Sequence, residues 1–546
     1  MMSPKPEGSN NRRLLLAVGL SGLVLLMSDL GMQYAFGRHI MGAPVKPVVQ
    51  SAEAPAAPKA GAPMQAVVVS GTQSVRLPLE NTRVKGDIAL TGGRLDTLTL
   101  KQYKKEIVEP QGFNLFKPGG KYAEYVAAGW QGNGLEGPNE ATPWQVEADQ
   151  TTANRVVLVW RNSTGQAFQR IYSLRPESYI WDVTERMVNG ANLPVSFTPY
   201  VQVHREGGYW PNERSNWVNY FGPMGQISQG EETLLHEVGY SKLKKTGKSD
   251  VWQGQGGWWG VTSQYFAALV VPKAGLNTTR QFSFQTVNGA EFYTASMQFA
   301  SQSVAPGASA EVSYLIYAGP KHYSQLKSAG AGLEQTIAWG WFEPMVKGLY
   351  YLLAIIHTYV PNWGLAVMII TLLLKIATFP LANTSYRAMA KMKKLQPDIE
   401  AMRKRLEGDQ QKMAVEMMAM YKKAKVNPLS GCWPMLIQIP IFFAMYKVVL
   451  VMFEFRHAPF FGWITDLSAH DPWFVLPVLM GASMWVQFKL NPKPTDPMQE
   501  VMFRWMPLMM TVMFLWFPSG LVLYWLTNNV LSIGQQYLMM RKEHAI

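Results

Sequence analysis

Between Trp363 and Leu381 the chain carries a single charge, Lys375, in an otherwise apolar run. A membrane-spanning helix needs about 20 such residues. No other feature constrains the fold as strongly, because backbone surrounded by lipid must be helical or part of a closed barrel. Further apolar runs follow at Trp433–Phe453, Trp473–Phe488, Met506–Phe517 and Leu521–Met539. One more, Leu14–Leu30, stands behind Lys5, Arg12 and Arg13. It continues through Met32, Tyr34 and Phe36 with no small-x-small site close behind, so it reads as an uncleaved signal anchor. Thr336–Thr358 is also apolar but contains Glu343, Pro344, Lys347 and His357. It reads as an amphipathic helix at the membrane interface, not as a span.

The charges orient these runs. Residues 382–427 hold eleven Lys and Arg against five Asp and Glu, a net of +6. The excess of bases on the inner side of membranes places this block in the cytoplasm. Alternating the spans from there puts both termini inside and residues 37–360 outside. Lys489, Lys493, Arg504, Arg541 and Lys542 all fall on the inner side of the same arrangement. The overall +13 (50 basic minus 37 acidic residues) therefore needs no nucleic acid as partner. The one cysteine, Cys432, excludes an internal disulfide, so any outside domain must be stable through its core alone.

The chain divides into an anchor (1–36), a Pro/Ala-rich linker (37–63), an outside domain (64–335) and a membrane part (336–546). The membrane part holds the interfacial helix (336–358), spans near 361–382, 430–453, 473–490, 505–517 and 520–540, and a cytoplasmic helical hairpin (383–427). With the anchor, that makes six transmembrane helices. The outside domain alternates with period two, as at Tyr179, Trp181 and Val183, at Tyr293, Ala295, Met297 and Phe299, and at Val312, Tyr314 and Ile316. Turn pairs such as Asn288-Gly289 separate the runs. Many short strands without intervening helices predict an antiparallel β-sandwich. Trp210, Trp252, Trp258 and Trp259 fit either sugar stacking or an aromatic core, and His204, His236 and His322 lack metal-ligand spacing. No catalysis is assigned to this domain.

Gly247-Lys248-Ser249 resembles the end of a phosphate-binding loop, but Lys242 stands where that loop needs its first glycine. With no GxSxG, HExxH or CxxC either, the sequence points to no enzyme, no metal and no cofactor. Work at this membrane would proceed without the chain's own ATP hydrolysis.

A charge at the centre of a span costs on the order of 2.5–3.5 kcal/mol. Lys375 lies seven residues, about 10 Å, from the cytoplasmic end of its helix, so it either snorkels to the headgroups or serves a polar site. Thr371 and Thr378 share its helix face. Gln438, Ser483, Gln487, Tyr524, Thr527, Asn528, Asn529, Ser532, Gln535 and Gln536 lie in other spans. Polar groups in several spans face one another or a wet cavity, which predicts a shared hydrophilic cavity near the cytoplasmic side. Lys447 reads as a snorkelling residue near the outer end of its span. Two spans, Met506–Phe517 and Trp473–Phe488, are short enough to thin the bilayer. Met389, Met392, Met402, Met417 and Met418 spread along the hairpin, where they either adapt to varied apolar partners or pack its two arms together.

The string Asn427-Pro428-Leu429-Ser430-Gly431-Cys432-Trp433-Pro434-Met435-Leu436-Ile437-Gln438-Ile439-Pro440 resembles the third span of the YidC/Oxa1/Alb3 membrane protein insertases. Phe517-Pro518-Ser519-Gly520-Leu521 resembles their turn between the last two spans, and Asn362-Trp363-Gly364 their entry into a span with an interior base. The anchor and outside domain resemble the form found in Gram-negative bacteria. The resemblance implies an insertase and chaperone of the inner membrane with a groove open to cytoplasm and lipid. Its partners would be nascent membrane proteins, the lipid bilayer and the Sec translocon. Lys375 stands at the family's groove arginine, and the family's substrate contacts fall on Thr371, Tyr524 and Trp525; Gln438 and Asn528 complete the expected groove. Some members contact ribosomes through a long basic tail, where here only RKEHAI follows. Two other classes fit polar residues in spans or an aromatic outside domain: a secondary transporter, and a sugar-recognising envelope protein.

Overall fold

The computed structural model describes residues 74–104, 107, 112–132, 134, 136–210, 220–229, 232–340, 343–406, 409–424, 433–491 and 497–543. The expected anchor and linker lie outside these, as does the Asn427–Cys432 stretch of the third-span motif.

Among the described residues eighteen strands form one antiparallel sheet that doubles back on itself. One layer runs in space through Arg155–Arg161, Gln166–Leu174, Ile180–Asn189, Ser309–Pro320 and Phe266–Pro272. The other runs through Arg76–Glu80, Val84–Ala89, Arg94–Leu100, Glu124–Gly132, Val195–Glu206, Ala290–Phe299 and Asn277–Val287. The long strand Trp252–Thr262 joins them, pairing with Asn277–Val287 through its first half and Phe266–Pro272 through its second. The layers meet at the alternate residues the sequence pattern marks: Trp181, Val183, Tyr293, Ala295, Met297, Val312 and Ile316 are buried. Asn288 and Gly289 both take positive φ (51° and 80°), the backbone a two-residue hairpin demands. Gly86 is required by contact, since a Cβ there would sit 2.7 Å from the Trp181 ring.

The tryptophans belong to the core. Trp258 and Trp259 are buried and Trp252 and Trp210 pack against the core, so stacking on sugars loses its aromatic platform. The histidines are dispersed. His204 lies inside, its Nδ1 2.9 Å from Thr294 Oγ1 and its Nε2 3.1 Å from Glu140 Oε1. His236 lies on Trp252 at 4.5 Å, and His322 stands 3.5 Å from Glu454.

Two short helices, Tyr240–Thr246 (α1) and Tyr323–Ala329 (α2), decorate the sheet. The helical part follows: Glu343–Tyr359 (α3), Trp363–Lys394 (α4), Gln396–Arg405 (α5), Gln410–Lys423 (α6), Trp433–Val451 (α7), Val475–Leu490 (α8), Pro497–Phe514 (α9) and Ser519–Lys542 (α10). Among the described residues α4 alone is long and apolar enough to cross a membrane by itself, with mean hydropathy 2.2 over its best stretch; Gln438–Val451 and Val475–Leu490 are shorter apolar helices.

Four boundaries differ from expectation. The short span expected over 505–517 is helical over Pro497–Phe514, so it begins earlier and is longer than its apolar run alone. The interfacial helix expected over 336–358 begins at Glu343, because Ile337 and Trp339 are buried in a non-helical connection and Gly340 takes φ 73°. The first hairpin arm, expected to begin at 383, continues the spanning helix to Lys394. Ala, Met, Lys and Arg at 387–394 are strong helix formers, and Pro380 leaves the helix continuous. The fourth span starts at Val475, behind Phe474 at φ 56°. α5 ends at Arg405, and Asp409 caps α6 by accepting from the Lys412 amide at 3.0 Å; residues 407 and 408 of the expected break lie outside the described residues.

Candidate substrate groove

α4, α7 and α10 enclose one polar cavity. It is a half-open cleft lined by Thr371, Leu374, Lys375, Thr378, Gln438, Ile441, Tyr524 and Asn528, with about 200 Å³ of empty space, open solvent included. The residue pattern dictates who meets whom. Thr371, Lys375 and Thr378 sit at i, i+4 and i+7 on α4. Tyr524, Asn528 and Ser532 sit at i, i+4 and i+8 on α10, a stripe that faces α4 along its length.

Two polar contacts cross the cavity. Lys375 Nζ donates to Ser532 Oγ at 2.7 Å, and Ser532 Oγ donates to the Asn528 carbonyl at 2.6 Å. Gln438 Nε2 donates to Tyr524 Oη at 2.5 Å. The threonine hydroxyls serve their own helix: Thr371 Oγ1 donates to Val367 O at 2.6 Å and Thr378 Oγ1 to Leu374 O at 2.8 Å. Thr371, only 1% exposed, thus shapes the wall and spends its one proton on the backbone. Asn529 turns to α8 and meets Ser483 Oγ at 3.0 Å, while Gln535 binds Asn383 Oδ1 at 2.9 Å and Gln536 binds Asn491 Oδ1 at 2.8 Å. These are the interhelical hydrogen bonds expected of polar residues in spans.

At the end nearer the β-domain the cavity closes in packed apolar residues. Ala444, Met445, Val448 and Val449 of α7 and Leu521 and Val522 of α10 are buried there. The loop before α8 seals it. Ser519 and Gly520 amides donate to Ala469 and Leu467 carbonyls at 2.7 and 2.9 Å. Asp471, fully buried, accepts from Trp463 Nε1 at 2.9 Å and from the Trp473 and Leu476 amides at 3.0 and 2.7 Å. The α8–α9 contact is equally close: a Cβ on Gly481 would lie 1.8 Å from Thr511 Oγ1. On the side away from α10, Leu372, Leu373, Ile376 and Phe379 of α4 are exposed, the composition of a lipid-facing surface.

Five of the expected groove residues, Lys375, Thr371, Gln438, Tyr524 and Asn528, thus line one cavity. Trp525 does not; it packs against Phe442 at 4.8 Å and Phe514 at 5.5 Å, one residue round α10 from the polar stripe. Of the methionines, Met389 is buried with Tyr386, Met539 and Met540 at the base of the membrane part. Met402 joins Ile399 and Tyr421 between α5 and α6, with Met392 and Met417 packed alongside. That is the inter-arm reading. Met418 alone of the five is an open surface, 59% exposed. Lys447 does not snorkel into headgroups: it is 6% exposed, with its stem against Gly340 in the seam between α7 and the β-domain. Ser532 was named only as one of the polar residues of its span, without a partner, and Asp471 was not singled out by the sequence reading. The i, i+4, i+8 spacing from Tyr524 signals the first; nothing local signals the second.

Comparison with known proteins agrees with this architecture. The family described as 60Kd inner membrane protein matches residues 355–545, and the YidC periplasmic domain matches residues 76–352. The chain is 36% identical to a membrane protein insertase YidC of Magnetococcus marinus, over 98% of this chain and 99% of that one. It is 37% identical to the insertase YidC of Sinorhizobium fredii, over 86% and 83% of the two chains. A crystal structure of an active YidC insertase aligns over 85% of this chain and 92% of its own, at 18% identity and a TM-score of 0.37.

Proposed function

Because the chain belongs to the YidC family of membrane protein insertases, we propose that it inserts newly made inner-membrane proteins through the cavity between α4, α7 and α10. The observation that carries this is Lys375, an ammonium in an apolar helix, turned into a cavity shared with two other helices. A hydrophilic, acidic segment bound for the outside enters the cavity from the cytoplasm and is drawn by Lys375. Asn528 and the Gln438–Tyr524 pair offer it hydrogen bonds. The apolar segment that follows slides into lipid along the exposed face of α4. Partition drives the step: roughly 20 residues at 0.3–0.6 kcal/mol each give about 6–12 kcal/mol for an all-aliphatic span. The membrane potential adds about 2.3 kcal/mol per charge per 100 mV. No bond is made or broken, so no catalytic residue is assigned.

In this reading the β-domain is periplasmic, both termini are cytoplasmic, and α5–α6 with exposed Met418 receives the substrate. The Sec translocon is the partner for larger substrates. The test is insertion in purified proteoliposomes of a short single-span protein with an acidic tail, scored by protease protection of that tail. Protection that depends on the protein supports an autonomous insertase. Absence of protection in tight, correctly oriented vesicles would overturn it.

A further inference from the structure

The interior lysine has one direct hydrogen-bonding partner that the substrate reading does not use. Lys375 Nζ lies 2.7 Å from Ser532 Oγ on α10. Ser532 is buried, and its own proton is committed to the Asn528 carbonyl at 2.6 Å. That commitment leaves the serine oxygen as an acceptor toward the ammonium. An ammonium has three donors, and a single acceptor occupies one of them. The other two remain for the cavity, where Gln438 and Tyr524 are already paired with each other.

We propose that Ser532 is a positioning residue that holds the Lys375 ammonium inside the cavity, and that this makes the groove selective for segments carrying a carboxylate. The argument is a competition. A lysine stem is long and flexible, and the cytoplasmic headgroups lie about 10 Å away along α4. Without a fixed acceptor the ammonium swings toward them by snorkelling. Leu374 and Ile441 beside it supply only apolar wall. Ser532 shifts that balance inward through a charge-assisted hydrogen bond. It does so weakly enough to be exchanged, because a carboxylate is a stronger partner for the same donors than a hydroxyl. A carboxamide offers no such gain. The arrangement thus holds the charge in place at rest and yields it to an acidic residue, and only to one at this depth.

This inference rests on the proposed role of Lys375, and the experiment separates the two. Wild type, Ser532→Ala, Ser532→Thr and Lys375→Gln are reconstituted as full chains. Each is offered two single-span substrates that differ by one Asp or Asn in the tail. The wild type inserts the Asp form faster. Ser532→Ala lowers that preference roughly three- to tenfold, leaves the Asn form unchanged, and exposes Lys375 to a water-soluble amine reagent read by mass spectrometry. Ser532→Thr, which keeps the hydroxyl, retains the preference and the slow labelling. If Ser532→Ala slows both substrates equally, or changes neither preference nor labelling, the positioning role is wrong. If Lys375→Gln keeps the full Asp preference, the reading of Lys375 itself fails, whatever Ser532 does.

Discussion

At the scale of single residues, Lys375 is where sequence and structure agree for a physical reason. A charge in an apolar run is expensive, so the sequence left Lys375 two readings, snorkelling or a polar cavity, and the structure turns it into the cavity. Which groups it meets there was less legible. The choice among the seven polar residues of the last span resolves only when helix phase is fixed, and then Tyr524 and Asn528 line the cavity and Ser532 meets Lys375, while Trp525 turns to Phe442 and Phe514. Replacing Lys375 with Glu places like charge opposite an acidic tail. Insertion of acidic-tailed substrates should fall at least tenfold in the protease-protection assay, and neutral-tailed substrates should suffer less. Equal insertion by both forms removes Lys375 from the mechanism. A second residue prediction concerns His236 in the β-domain. Burial, and then the nearby Arg280 charge, push its imidazole below the usual histidine range. The unfolded chain therefore binds the proton more tightly, and stability contributed by the neutral ring is present above the unfolded value and lost as pH falls through the folded one. Thermal melts of the isolated residues 74–340, if that segment folds alone, or of the whole chain otherwise, should show a drop between pH 7 and pH 5. His236→Gln should flatten it, and an unchanged slope would remove His236 as its source.

At the scale of elements, strands and spans were readable because their periods differ. Alternation marked the buried faces of Ile180–Asn189 and Ser309–Pro320, whereas Phe266–Pro272, buried at every residue, has no alternation to read. Helix ends were harder, since they depend on local conflicts. The expected start at 336 failed because Ile337 and Trp339 gain more by burial than by helix. The hairpin boundary at 383 failed because charge, which set the membrane edge, does not end a helix. The hairpin also decides between two uses of methionine. With Met402 beside Ile399 and Tyr421, and an Arg405–Glu416 ion pair across the arms, most of its apolar surface is internal. Tyr421→Ala should unpack this small cluster at a cost of about 3 kcal/mol and loosen α5–α6. Protease nicking within 395–424 would then rise several-fold with α4 and α10 still resistant. Unchanged nicking would show that the cluster does not hold the arms. Met418→Ser, on the open face, should leave nicking alone and weaken substrate crosslinking to the hairpin.

At the scale of the molecule, the β-domain and membrane part are joined by more than one connection. The turn after α7 inserts Phe453 between Tyr103 at 4.9 Å, Phe266 at 5.6 Å and Tyr265 at 5.9 Å. Beside it Glu454 accepts from Tyr350 Oη at 2.9 Å, and Gln264 Nε2 reaches the Leu450 carbonyl at 3.1 Å. No sequence pattern announced this seam, because its residues are 100 to 350 positions apart and each looks like an ordinary core or loop residue in its own segment. The seam touches the outer end of α7, whereas the cavity is closed by Leu521, Val522 and the 467–471 loop, all from the membrane part. Two consequences separate. Deleting residues 76–320 should leave insertion of a short acidic-tailed protein within about threefold of the full chain, because nothing that lines or closes the cavity is removed. The same deletion should lower the melting temperature of the membrane part, because Phe453 loses its aromatic pocket, and Phe453→Ala in the full chain should reproduce much of that drop at a cost of about 3–5 kcal/mol. If the deletion abolishes insertion while Phe453→Ala does not, the β-domain acts on the substrate itself, and the division of labour argued from this seam is wrong.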